Sequence, residues 1–221
     1  MNVSKYIFLL AFLFVALGNS LAQDGKFKHE LDVGASFGMN FSSVSFSPKV
    51  DQKMLQAYNG GLILRWITEK HLGLQAEVNF TQQGWEEEFE EQPQYQYSRT
   101  INFIEIPFLT HIYFGSDRFR FFVNLGPKIG YALGESTSSN LDGAEPNKNN
   151  EQHNLKVQKK FDWGLCGGPG IELRTGIGHF ILEGRYYYAL GDLMNSTKSD
   201  PFAKSSIQNI SAKVAYLFRV K

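Results

Sequence analysis

Cysteine is nearly absent. Cys166 is the only one in 221 residues, which excludes an internal disulfide framework, so backbone ladders and packing must hold the fold. Net charge is missing too. Removing residues 1–22 takes away only Lys5, leaving 21 basic against 22 acidic residues. Nothing in that balance forms the basic stripe that nucleic-acid binding demands. Beyond residue 22 no apolar run reaches the ~20 residues of a transmembrane helix. No Gly-x-Ser-x-Gly, His-Glu-x-x-His or phosphate-loop pattern occurs, and neither a cofactor nor a metal ligand set is expected.

What is present begins with an export signal. Lys5 lies in a short leading segment, Ile7 to Leu17 is unbroken apolar, and Ser20-Leu21-Ala22 places small residues before a cut at Gln23. That layout is a secretory signal peptide. The expected organisation is therefore a signal over 1–22 and one domain over 23–221. No cysteine follows the cut, so a lipoprotein anchor is not supported.

The domain is a succession of strands with one greasy and one wet face. From Leu31 to Phe41 every odd residue is apolar and every even one polar or glycine, the two-residue period of a half-buried strand. Comparable segments lie near 29–41, 57–66, 71–82, 100–114, 118–133, 161–174, 179–190 and 207–219. Short turns at 67–70, 115–117 and 175–178 alternate with long polar stretches at 42–56, 83–99, 134–160 and 191–206. Eight such segments, linked by short turns on one side and long loops on the other, predict an all-β, eight-stranded antiparallel up-and-down transmembrane barrel in an outer membrane. With no membrane helix available, only a closed barrel satisfies its backbone in lipid.

Face assignment follows from parity. The apolar rows include Leu62 and Leu64, Leu74 and Val78, Ile106 and Phe108, Val123 and Leu125, Leu182, and Val214. Aromatics gather at their ends. Trp66, Phe114, Phe119, Phe180 and Phe218 fall toward the short turns; Phe41, Tyr58, Phe80, Tyr131, Trp163 and Tyr188 fall toward the long loops. Two such belts match the two interfaces of a bilayer. The opposite parity carries Asp32, Glu77, Glu105, Asp162, Glu172 and Glu183 against Arg65, Arg120, Lys128, Arg174, Arg185 and Lys213. An eight-stranded barrel has an interior wide enough only for side chains. These charges are therefore expected to pair and plug the lumen, since an unpaired buried charge is costly. A rival architecture, a soluble lipocalin-like barrel with the apolar face inward, shares the alternation. Pro107, Pro127 and Pro169 fall inside proposed strands and are read as β-bulges.

Several segments look like a known family. Leu72-Gly-Leu-Gln-Ala-Glu-Val-Asn-Phe-Thr-Gln-Gln-Gly84, Ile104-Glu-Ile-Pro-Phe108, Leu125-Gly-Pro-Lys-Ile-Gly-Tyr131 and Gly164-Leu-Cys-Gly-Gly-Pro-Gly-Ile-Glu172 resemble successive strands of the PorT-like outer-membrane β-barrel domain family of Bacteroidota. Leu182 to Leu193 is similar to that family's Arg-Tyr…Gly-Leu…Asn strand, with Ala189 and Asp192 where glycine and asparagine are usual. The resemblance covers essentially the mature chain. It implies the fold and the outer membrane, and through PorT itself a link to type IX secretion and gliding.

The candidate chemistry is sparse. Glu86, Glu87, Glu88, Glu90 and Glu91 crowd one loop beside Trp85 and read as a solvated, self-repelling run, with divalent-cation binding or a docking surface for a basic partner the alternatives. His153, with Ser136, Ser138 and Ser139, lies in a Ser/Asn/Gly-rich loop that reads as mobile, with nothing to orient a nucleophile. Cys166 is read as a packing residue. The expectation is a non-enzymatic barrel with a plugged lumen that contacts outer-membrane lipid and acts through its loops as an accessory of secretion or envelope assembly. The alternatives are a lipid-modifying hydrolase or acyltransferase and a loop-presenting adhesin.

Overall fold

A computed structural model describes residues 28–89, 91–144, 146 and 151–220. The expected signal peptide, residues 1–22, lies outside the described residues. Nine strands run in chain order: β1 (Glu30–Ser47), β2 (Gln52–Lys53), β3 (Leu55–Glu69), β4 (Leu72–Glu87), β5 (Tyr97–Gly115), β6 (Phe119–Ser139), β7 (Phe161–Thr175), β8 (Gly178–Ala189) and β9 (Lys204–Arg219), with a one-turn helix α1 (Glu151–Asn154) before β7. Hydrogen bonding orders them β4-β3-β1-β9-β8-β7-β6-β5, and β5 pairs back onto β4. That ring is an eight-stranded closed barrel, antiparallel at every seam. β2 is a two-residue addition beside the end of β4.

The apolar parity faces outward. Leu64, Val78, Phe108, Leu125 and Val214 are all exposed on the wall, and the two aromatic rows lie on the same surface. Glu77, Arg185 and Lys213 are buried inside. A lipocalin-like arrangement requires the reverse, so that rival is excluded. An apolar wall between aromatic girdles is what lipid requires of a barrel.

The long connections are shorter than expected. Residues 42–47, 55–56, 83–87, 97–99, 134–139 and 204–206 were expected as loop but continue the strands. In β1, β3, β4 and β5 the cause is an inversion of the two faces. In β1 the outward odd positions change from Phe37 and Met39 to Ser43 and Ser45. The inward even positions change from Ser36 and Asn40 to Val44 and Phe46. The backbone stays extended while water replaces lipid outside and an apolar core replaces polar groups inside. This upper part, on the long-loop side, is called the crown below; the lipid-facing part is the belt.

The prolines do not make bulges. Register is identical on either side of each. The β4–β5 ladder skips the rows of Ile106 and Pro107, β5–β6 those opposite Gly126 and Pro127, and β7–β8 those of Gly168 and Pro169. A proline lacks one N–H, which points to one neighbour only, so each interrupts one ladder while its strand stays paired on the other side. The register shifts lie elsewhere, at Ile67/Glu69 and Asn102/Phe103. Gly170 shows why β7 is glycine-rich: a Cβ there would lie 2.1 Å from the Phe122 ring, which fills the lumen beside it.

Candidate functional site

Inward side chains fill the barrel from end to end. Near the short turns Ile63, Ile67, Tyr113, Phe122, Ile181, Ala215 and Leu217 form an apolar cluster interleaved with charge. Arg65 donates to Glu172 at 2.8 Å and to Gln75 at 2.8 Å, with its guanidinium 5.6 Å from the Phe122 ring centroid. Arg174 lies 3.5 Å from Glu172, and His179 3.0 Å from it and 3.6 Å from Asp32. Glu30 gathers Arg174 and Arg219, both at 2.7 Å, and Arg120 at 3.9 Å. Arg120 also stacks 4.2 Å over Tyr113.

The middle layer centres on Glu77. It accepts from both nitrogens of the Arg185 fork at 2.8 and 3.0 Å and from Lys213 at 2.7 Å. Gln75 and Asn79 donate to the same carboxylate. Arg185 also bonds Glu183, which accepts from Asn124 at 2.9 Å, and Asn124 meets His111 at 2.8 Å. The planar guanidinium suits this double bridging, which a lysine could not reproduce. Above it Lys128 pairs with Glu105 and sits 3.2 Å from the Tyr187 ring centroid, while Tyr187 donates to Asp162. A residual space of about 30 Å³ lies among Asn79, Asn209, Cys166 and these groups, room for one or two waters.

The sequence singled out Asp32, Arg65, Glu77, Glu105, Arg120, Lys128, Glu172, Arg174, Glu183, Arg185 and Lys213. The structure places all of them inside, Arg174 half-buried and the others buried. Their ion pairs fall into three clusters, and the one around Glu172 is joined to the one around Glu77 through Gln75. Glu30, His111, His179 and Arg219 belong to those clusters and were missed. His111 and His179 sit on inward parity, so the two-residue period could have found them.

The crown closes the outer mouth. Val44, Phe46, Trp85, Tyr97, Ile101, Leu193, Met194 and Phe202 are buried in one apolar cluster; Phe46 packs edge-on against Trp85 at 5.2 Å. Arg99 pins the third loop over it. Its guanidinium donates to the carbonyls of Leu155 and His153 and to the Tyr97 hydroxyl, and lies 5.3 Å over Trp85. Burial pushes the Tyr97 phenol above its usual pKa, so it stays neutral. The fourth loop is clamped to the third, since Gln158 and Lys159 both donate to the Leu193 carbonyl.

Two loop readings need correction. Residues 151–160 were read as part of a mobile segment, but His153 lies 2.9 Å from Glu87 and stacks on Tyr97 at 4.0 Å between centroids. The acidic run is not uniformly solvated. Strand alternation buries Glu87, where Gln152 also donates to it, and turns Glu86 out to Lys53 at 3.1 Å. Glu90 lies outside the described residues.

Chemically, His153 and Glu87 form a histidine oriented by a carboxylate, half of a nucleophile-activating arrangement. Among the described residues no hydroxyl or thiol is hydrogen-bonded to His153. Ser136, Ser138 and Ser139 are exposed on β6 instead. No His, Cys, Asp and Glu grouping among the described residues could hold a metal ion.

Among solved structures the chain is similar to several outer-membrane proteins. Neisserial surface protein A is 14% identical, with 87% of this chain and 100% of that one covered and a TM-score of 0.48. The outer membrane enzyme PagL is 13% identical, covering 83% and 97%, with a TM-score of 0.46. Ail, the attachment invasion locus protein of Yersinia pestis, is 13% identical, covering 86% and 99%, with a TM-score of 0.42. At these values none carries its role across. No curated protein matches the chain. A family profile, outer membrane protein beta-barrel domain, matches residues 21–195. Together with the closed ring and its lipid-facing wall, that match makes the chain a member of the outer-membrane β-barrel domain family, resident in the outer membrane.

Proposed function

We propose that this outer-membrane barrel is a closed, non-enzymatic module that acts through its crown as an accessory of secretion or envelope assembly. The observation that carries the reading is the filled lumen. Two apolar clusters bracket a middle layer in which Glu77, Arg185, Lys213 and Glu183 satisfy one another. A conducting path needs mobile ions to displace such pairs, and breaking a buried pair costs several kcal/mol. The rigid wall then leaves the outer rim as the working surface, as is usual for loops held on a scaffold. The PorT-like strand motifs and the signal peptide over 1–22 support export into a Bacteroidota-type envelope and a place beside its secretion machinery.

Planar-bilayer recording tests the closed lumen. The wild type is expected to show no stable channel, and steady conductance would overturn the reading. The second reading, a lipid-modifying hydrolase or acyltransferase, draws on the His153–Glu87 contact of 2.9 Å. It predicts that His153→Ala abolishes modification of outer-membrane lipid in cells expressing the protein. The accessory reading predicts identical lipid profiles with the wild type and the variant.

A further inference from the structure

The crown has a seam. The β1–β3 ladder ends at Ser42↔Leu55, and β1 continues to Ser47 paired only with β9. The β3–β4 ladder ends at Asn59↔Thr81, and the top of β4 is joined instead by β2 at Gln52↔Glu87 and Lys53↔Glu86. Above the belt, therefore, β1 and β2 face each other, and among the described residues no strand lies between them. An open cleft of about 840 Å³ lies there.

Both the inward Val44 and Phe46 and the outward Ser43 and Ser45 line this cleft. It therefore faces the edge of β1, not either of its faces. Unpaired strand edges are templates for another strand. One residue of this edge is already occupied. The Gln52 side-chain amide accepts from Val44 N–H at 3.0 Å and donates to the Val44 carbonyl at 2.5 Å. That donor–acceptor pair copies what the peptide group of a neighbouring strand would offer. The next residue pointing the same way, by the two-residue alternation, is Phe46, and among the described residues no strand lies opposite it on that side. A side chain rather than a strand therefore bridges the gap between β2 and the edge of β1.

The walls state what kind of strand. Val44, Phe46, Val50 and Phe89 give an apolar floor. On the rim Lys49 is neutralised by Asp51 at 2.8 Å and Lys53 by Glu86 at 3.1 Å. Glu88 and Glu91 line the cleft, exposed, and form no ion pair among the described residues. We propose that the cleft receives an extended polypeptide segment of alternating apolar and basic residues from a partner protein, added as a strand between β1 and β2. Its apolar side chains rest on the floor, its basic ones meet Glu88 and Glu91, and its backbone replaces the Gln52 amide on Val44 and continues to Phe46. Main-chain bonds give such a contact its affinity and the alternate side chains its selectivity. The proposal rests on the accessory reading above and names its contact.

The test uses the full mature protein in nanodiscs of zwitterionic lipid, with empty nanodiscs as blank. The probe is a fluorescent octapeptide of alternating lysine and valine, followed by anisotropy. Saturable binding is expected. The same peptide N-methylated on the alternate amides of one edge should bind at least tenfold more weakly, because its charge is kept and its ladder lost. Gln52→Ala should tighten binding several-fold by freeing Val44. Glu88→Lys with Glu91→Lys should shift preference to a glutamate–valine octapeptide. These three positions lie in the crown and on its rim, and unchanged heat-modifiable mobility on gels verifies the fold. Absence of saturable binding, equal binding of the N-methylated peptide, or indifference to Gln52→Ala would each overturn the proposal. Bilayer conductance is independent of all three, so failure here and failure of the closed-lumen reading are separable.

Discussion

Belt and crown are built from the same strands in the same alternation, with opposite chemistry on their faces. In the belt Phe37 and Leu125 face outward while Asn40 and Glu77 face inward; in the crown Ser43 and Ser45 face outward while Val44 and Phe46 face inward. The backbone of β1 stays extended across the boundary. What changes is the solvent outside, from hydrocarbon to water, and each face follows it. The belt can keep a polar interior because its apolar wall is matched by lipid, and the interior groups need only satisfy one another. The crown has no lipid and must make its own core, as a water-soluble β-sandwich does.

The contrast predicts different penalties in the two regions. The largest should come from the belt's interior. Glu77→Ala strands Lys213 and takes from Arg185 one of its two carboxylates. Removing one partner of a buried ion pair costs about 3–5 kcal/mol, and the loss should appear as a lowered midpoint of heat-modifiable mobility. Next is the belt's wall: Leu125→Arg, between the two aromatic rows, should cost about 2–4 kcal/mol, as charges do at the bilayer midplane. Urea titration of the folded protein in lipid vesicles measures it.

The crown's effects should be smaller and local. Arg99→Ala deletes the donors to Leu155, His153 and Tyr97. With charge-assisted hydrogen bonds worth about 1.5–3 kcal/mol, the third loop should detach. Limited proteolysis should then cut within 151–160 while the belt keeps its gel mobility. Smallest of all, Ser45→Arg places on the crown's wall the charge that Leu125→Arg places on the belt's, and should change stability by no more than about 0.5 kcal/mol. Equal penalties at Leu125 and Ser45 would erase the boundary.

The same boundary explains what could be read from the chain beforehand. Leu31 to Phe41 was legible because lipid-facing apolar residues alternate with polar ones, and the aromatic rows fixed which face met lipid. Val44 and Phe46 alternate equally well with Ser43 and Ser45, but the sign is inverted, so a rule tied to the belt's chemistry ended β1 early. The lumen charges were found one by one through parity. Their partition into clusters was not, because partners such as Arg65 and Glu172 lie 107 residues apart and meet only once the barrel closes. Arg99 and Glu87 sit beside polar neighbours; strand alternation turns both inward, and their partners come only from the third loop folded over the mouth.

The face inversion is tested most directly by a spin-label accessibility scan along β1. Single cysteines would be placed at each position from 37 to 47, with Cys166 replaced by serine and the protein in lipid vesicles. The account predicts that labels at 37 and 39 are reached by oxygen from the lipid, and labels at 43, 45 and 47 by a water-soluble nickel reagent. Labels at 44 and 46 should be reached by neither. Oxygen-dominated access at 43 and 45, or free nickel access at 44 and 46, would contradict it.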